Sequence, residues 1–183
     1  MKVLKFGGTS VGSVDSIRQI QHIIGQQTDD CIVVVSALGG ITDQLLKAAH
    51  LALEAGEEYM EIYQAIRCRH MDMVNTLITN PTTRQMLCLE LESILDELRS
   101  ILFGVHLVKD LSNKTEAAIV SYGERMSSRI VTAALPGAVR KNSLQFIRTE
   151  HKQGQVLLNT ELTEQLIRQV FSPMPHLSVV PGF

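Results

Sequence analysis

Lys5-Phe6-Gly7-Gly8-Thr9-Ser10 sets a lysine just ahead of two adjacent glycines and two hydroxyl residues. That combination suits a phosphate. It is not a P-loop, in which the lysine follows the glycines, and it is not the G-x-G-x-x-G dinucleotide fingerprint. Without Cβ atoms, Gly7 and Gly8 let a phosphate approach the backbone N–H groups. A helix starting just beyond them adds a partly positive N-terminus. Lys5 alternates with Phe6, so it points away from the apolar face and can reach a phosphoryl group in transfer. Lys5, Phe6, Gly7, Gly8, Thr9 and Ser10 are therefore candidate phosphate-binding residues, with Lys5, Gly7 and Gly8 the catalytic candidates. The plainer alternative is a turn beside a solvated lysine.

Two further groups have chemical potential. Ser36 and Thr42 flank Gly39-Gly40, and their hydroxyls can donate to a carboxylate or phosphate or cap a helix beginning near Asp43. In Ser121–Ser128, Glu124 follows Gly123 in an expected helix. A carboxylate with backbone room beside it can hold a substrate ammonium; a surface pair with Arg125 is the simpler reading. Gly123 is costly inside a helix and marks a bend or a close ligand approach. His50, His70 and His106 are assigned to helix flanks or core contacts. Arg148-Thr149-Glu150-His151 shows no catalytic order. Cys31, Cys68 and Cys88 are widely spaced and odd in number. They are expected to be buried apolar groups in a reducing compartment, and no pair has zinc-site spacing, so no metal ligand is assigned.

The elements that must position these residues follow from periodicity. Val3–Phe6 has strand character and ends at the glycines. Ile17, Ile20, Ile23 and Ile24 recur at helical spacing from about Ser13. Cys31–Val35 is continuously apolar and β-branched, as in a strand buried on both faces of a parallel sheet. Helices are expected from near Asp43, through 57 to about 104 with a break at Asn80-Pro81, and from an Asn113 cap with Glu116 three residues on to Leu135. Leu144–Ile147 is expected as a strand, Thr160–Phe171 as a helix, and Leu177–Val180 as a buried strand. This order argues for an α/β fold with a largely parallel sheet, whose ligands bind beyond the strands' carboxyl ends. Gly7-Gly8, Gly39-Gly40 and Pro181-Gly182 all fall there.

The 183 residues are 45% hydrophobic and 20% charged, with net charge −2. These values fit one core-bearing domain and imply no general nucleic-acid or membrane surface. No apolar run is long enough to span a bilayer, and no signal peptide precedes the first strand; a cytoplasmic location is expected.

Lys5–Gly12, Val33–Asp43, Ser121–Ser128 and Val179–Phe183 resemble motifs of aspartate kinase, a member of the amino-acid kinase family. The first motif separates aspartokinases from acetylglutamate, glutamate-5, carbamate and uridylate kinases, which share the fold. The general run is similar to the aspartokinase part of bifunctional aspartokinase/homoserine dehydrogenases. The resemblance implies a three-layer α/β sandwich with a mostly parallel sheet of the carbamate-kinase-like type, carrying a helical insertion at about 43–111. It also implies ATP-dependent conversion of L-aspartate to 4-phospho-L-aspartate, the first step toward lysine, threonine and methionine. Lys5 would neutralise the moving phosphoryl group and Gly7 and Gly8 would donate N–H groups to it. Ser36, Thr42 and Glu124 would hold aspartate, Glu124 on its ammonium, with Gly182 and Phe183 bordering the substrate.

The family pattern continues past Phe183 with a glycine-rich stretch, an arginine, a Gly-Ser-Asp and most of the nucleotide pocket. Residues 1–183 are therefore expected to be a truncated N-terminal portion of the catalytic domain, inactive alone. ATP and Mg²⁺ would be held largely beyond Phe183, and NADP would enter only with a dehydrogenase domain. The expected partners are L-aspartate, ATP and further copies of the chain in a homo-oligomer, with an exposed sheet edge favouring self-association. Two alternatives stand: an amino-acid kinase with another acceptor, and a non-catalytic binding or assembly module of the same fold.

Overall fold

The continuous β-branched runs become the centre of the sheet. A computed structural model describes residues 1–54, 56–152 and 155–182. Strand β1 (Lys2–Phe6), helix α1 (Val14–Gly25) and β2 (Cys31–Val35) form the opening βαβ unit. Three helices follow, α2 (Ile41–Leu53), α3 (Tyr59–Leu77) and α4 (Pro81–Val108), and then α5 (Asn113–Ala134) returns to the sheet. The chain goes on through β3 (Val139–Arg140), β4 (Thr149–Lys152), β5 (Gln155–Leu158), α6 (Thr160–Val170) and β6 (Leu177–Pro181). The main sheet has order β1-β2-β6-β3 and is parallel throughout. Its register sets Phe6 beside Val35 and Val35 beside Pro181, so three strands end together.

Alternation along the strands assigns the two faces. Val33, Val35 and Val179 are fully buried toward the helical layer, where α5 lies along β6, β2 and β3. Helices α2 and α4 pack on α5, and the α3–α4 hairpin packs on α2. One long seam of Leu87, Leu91, Ile94, Leu95, Leu98, Leu102 and Val105 anchors α4. Across the sheet, Val3, Ile32, Val34 and Val180 face Phe146, Ile147, Ile167 and Phe171 over a cleft of about 370 Å³. Residues of α6 thus flank the second face, giving the α/β layering expected. Among the described residues no helix is long and apolar enough to cross a membrane.

Several local expectations change. Leu144–Ile147 is not a strand: Asn142 accepts the Leu144 N–H, Ser143–Gln145 forms a 3₁₀ turn, and Phe146 is buried against the edge of Phe171, ring centroids 5.5 Å apart. The α5 cap is Ser112, whose Oγ accepts the Thr115 N–H at 3.1 Å, so Asn113 is already helical. Helix α2 begins at Ile41, two residues before Asp43. Cys68 is exposed and Cys88 partly so; of the three only Cys31 is buried. The short β3 and the separate antiparallel β4–β5 pair were not expected.

Candidate active site

The three glycine-bearing segments do converge at the strand ends, and two of them interlock. A Cβ on Gly8 would lie 3.2 Å from the Ala37 oxygen and 3.4 Å from the Gly39 Cα, while one on Gly39 would lie 3.2 Å from the Gly8 oxygen. Neither backbone can retreat, so the loops can approach this closely only as glycines. Gly182 donates its N–H to the Val35 oxygen at 2.8 Å, and a Cβ there would meet that oxygen at 3.1 Å. Gly7 differs: a Cβ would meet nothing within 4 Å, and its φ is not positive. Packing does not demand glycine at position 7, so the loop is open on that side. The Gly7 oxygen accepts the N–H groups of Ser10 and Val11, drawing the loop into a tight turn. Among the described residues the Gly8 and Thr9 N–H groups have no partner.

Ser36 is pinned from two directions. Its N–H donates to the Phe6 oxygen at 3.1 Å, and its oxygen accepts from Ser127 Oγ at 2.7 Å. Phe6 itself packs its ring toward the core, so its part in the loop is through the backbone. Thr42 lies within the first turn of α2, after Gly40, and no side chain caps that helix. The capping role considered for Thr42 is thereby removed, because Gly40 in a left-handed conformation (φ 80°) makes the turn into α2.

Glu124 is buried at 8% exposure, not part of a surface pair. Arg125 turns the other way, donating to Glu97 at 2.7 Å and covering the Tyr122 ring at 4.1 Å. The neighbouring Gly123 lies against the protein itself: its Cβ would lie 2.6 Å from the Ala37 Cβ, so α5 is seated directly on the β2–α2 loop. That seating brings the Glu124 carboxylate to the Ala37 N–H, while Oε2 is buried with no partner. Burial pushes the Glu124 carboxyl up, and the Ala37 N–H opposes the rise in part.

Lys5 is exposed on β1 and, by alternation, shares the face of Val3. That face is the one opposite α5, on which Glu124 lies, and Lys5 is the last residue but one of its strand. Thr9 is exposed and Ser10 half-buried at the loop. Phe183 lies outside the described residues. Two residues that tie the loops in place were not singled out in the sequence. Ser127 could have been found from its helical spacing to Glu124. Arg69 of α3 could not: its Nη2 donates to the Gly12 oxygen at 3.3 Å across 57 positions, and its Nη1 would lie 3.9 Å from a Cβ on Gly40. Among the described residues no three His, Cys, Asp or Glu side chains gather in a way that could hold a metal ion. The donor set of backbone N–H groups, hydroxyls, an ammonium and one carboxylate suits a zwitterionic substrate and a phosphate.

A parallel α/β domain with glycine loops gathered at the strands' carboxyl ends stands among the proteins that bind small ligands there. The chain belongs to the Amino acid kinase family, whose sequence model matches residues 1–183. It is 32% identical over 137 residues to the chloroplastic Aspartokinase 2 of Arabidopsis thaliana, covering 73% of this chain and 24% of the relative. It is 30% identical over 141 residues to the bifunctional aspartokinase/homoserine dehydrogenase of Buchnera aphidicola, covering 74% and 17%. E. coli aspartokinase III in complex with aspartate and ADP superposes with a TM-score of 0.83 at 26% identity, over 99% of this chain and 40% of that one. The same enzyme in complex with lysine and aspartate gives 0.85 at 24% identity, over 98% and 40%. The chain thus spans a quarter or less of the length of these two curated relatives.

Proposed function

We propose that residues 1–183 form the aspartate-binding and phosphate-clamping part of an ATP-dependent aspartate kinase that makes 4-phospho-L-aspartate. The observation that carries this reading is Glu124: a buried carboxylate with an unpartnered oxygen, seated against a glycine loop. A buried unpaired charge is costly, and a substrate ammonium is the group that would relieve it. The aspartokinase relatives, and solved neighbours whose complexes contain aspartate and ADP, support the same assignment.

The chemistry asks little proton transfer of the protein. A free aspartate side chain has a pKa of about 3.9, so the nucleophile is ionised at neutral pH. The obstacle is bringing that carboxylate to a triphosphate, which makes positioning and charge neutralisation the catalytic terms. Glu124 fixes the ammonium, and Ser36 and Thr42 offer hydroxyls to the substrate. Gly8 and Thr9 direct free N–H groups toward the phosphoryl oxygens, and Gly7 leaves room for their approach. Lys5 meets the charge from the opposite side. The reading assigns no metal ligand to this chain, and it assigns adenine and Mg²⁺ to residues outside it. A dehydrogenase partner domain, with NADP, is an extension of the same reading; both single-function and bifunctional relatives resemble the chain.

In the full-length protein, Lys5→Ala should lower turnover by about two orders of magnitude or more, as loss of a transition-state charge contact does, with aspartate affinity little changed. Glu124→Gln should instead weaken L-aspartate binding about tenfold in calorimetric titration. Coupled ADP release separates the two. Unchanged turnover in Lys5→Ala would remove the clamp role, and better phosphorylation of glutamate, N-acetylglutamate or UMP than of aspartate would overturn the substrate. Residues 1–183 alone should release no ADP; robust turnover would refute the division of labour.

A further inference from the structure

Two arginines meet in a cleft of about 360 Å³ between the first half of α4, the second half of α5 and the edge strand β3. Thr83, Met86 and Glu90 line it from α4, Arg129 and Thr132 from α5, and Arg140 from β3. Arg129 is only 17% exposed and is held in place by donating Nη1 to the Arg125 oxygen at 2.8 Å. Its acidic neighbour, Glu90, is 58% exposed and comes to 3.4 Å of Nε without hydrogen-bonding it; that buried Nε has no hydrogen-bond partner. Among the described residues the Arg140 side chain has no ion pair and no hydrogen bond. Burial and the Arg140 charge push the Arg129 guanidinium down, and Glu90 offsets this only in part.

The cleft therefore holds two guanidinium charges against one largely solvated carboxylate, with the more buried guanidinium already immobilised. A buried cation with an unmet donor is destabilising unless an anion joins it. Guanidinium groups match phosphate oxygens in geometry, and a pair from separate elements suits a dianion. Beside them Met86 exposes 62% of its surface, an apolar shelf next to the charges. Arg129 is five positions beyond Glu124 on α5 but is turned toward α4, away from the glycine loops.

We propose that the Arg129–Arg140 cleft is a second ligand site, taking a small phosphomonoester with its phosphate on the two guanidinium groups and its apolar body on Met86. Glu90 is then a rim carboxylate that the phosphate displaces from Arg129.

Phenyl phosphate titrated into the chain, followed calorimetrically, tests this. The expected result is saturable one-to-one binding, weaker with inorganic phosphate and absent with phenol. Arg140→Gln and Arg129→Gln should each weaken it about tenfold, the size of one charge-assisted contact, and Glu90→Gln should strengthen it. Arg84→Gln removes the same charge from α4 outside the cleft and should change nothing. If Arg129→Gln fails to fold, Arg140→Gln on the edge strand carries the test. Absence of saturable binding, an equal loss in Arg84→Gln, or a loss in Lys5→Ala but not Arg140→Gln would overturn the proposal.

Discussion

Glu124 is held where its charge is disfavoured, and this has a measurable cost in the free protein. An acid whose folded-state pKa is raised binds more protons folded than unfolded within that interval, so stability falls as pH rises through it. Burial raises the Glu124 carboxyl above the ordinary carboxylate value. Chemical denaturation of Glu124→Gln beside the parent chain should show a stability difference that shifts in favour of the variant from pH 4 to pH 8. Saturating L-aspartate should shift it back by pairing the charge. A difference independent of pH would mean that Glu124 titrates alike in the folded and unfolded chains, with no burial cost on its charge. The glycines divide in the same way between folding and chemistry. Gly8→Ala forces a Cβ to 3.2 Å from a backbone oxygen and should cost about 1–3 kcal/mol, as overpacking does. Gly7→Ala meets nothing and should cost less than about 1 kcal/mol, yet it should still lower turnover by obstructing the phosphate. Thermal melts set against ADP release distinguish the two.

At the scale of elements, α3 contributes a buried histidine to the core. His70 is fully buried, with Nδ1 donating to the Ile66 oxygen at 2.7 Å and Nε2 unpartnered. Burial pushes its pKa down to about 4. A base with a depressed folded-state value is protonated first in the unfolded chain, so its stability contribution is complete above about 6.5 and is lost as pH falls toward 4. The loss should be on the order of 3 kcal/mol, and His70→Leu should flatten that limb in urea titrations between pH 7 and 4. Which elements were legible follows from their length and pattern. Cys31–Val35 and the isoleucines of α1 declare themselves because one periodicity runs unbroken through them. Leu144–Ile147 misled because a short apolar run has no period of its own, and Asn142 and Ser143 turn the chain there. β3 was missed because two residues hydrogen-bonded to β6 leave no local trace. The loops of the site were legible as glycines. Their mutual contact was not, nor was the seating of Gly123 on Ala37, which is remote in sequence.

Across the whole molecule, the crevice is assembled from segments that meet only late along the chain. Ser127 reaches the Ser36 oxygen over 91 positions and Arg69 reaches Gly12 over 57. Ser127→Ala removes the donor from the Ser36 oxygen and should cost about 1 kcal/mol. Hydrogen exchange should quicken at residues 37–39 and stay slow in β2 and β6; uniform acceleration would mean that the contact supports the whole fold and not the loop alone. The seating of α5 on Ala37 also has a consequence in time. The β2–α2 loop leaves the ribosome about 90 residues before the helix that grips it, and at 5–20 residues per second that interval lasts roughly 5 to 20 s. Through it, β1 and β2 present an open parallel edge with β6 still unmade, so it is the nascent chain that most needs shielding from its neighbours.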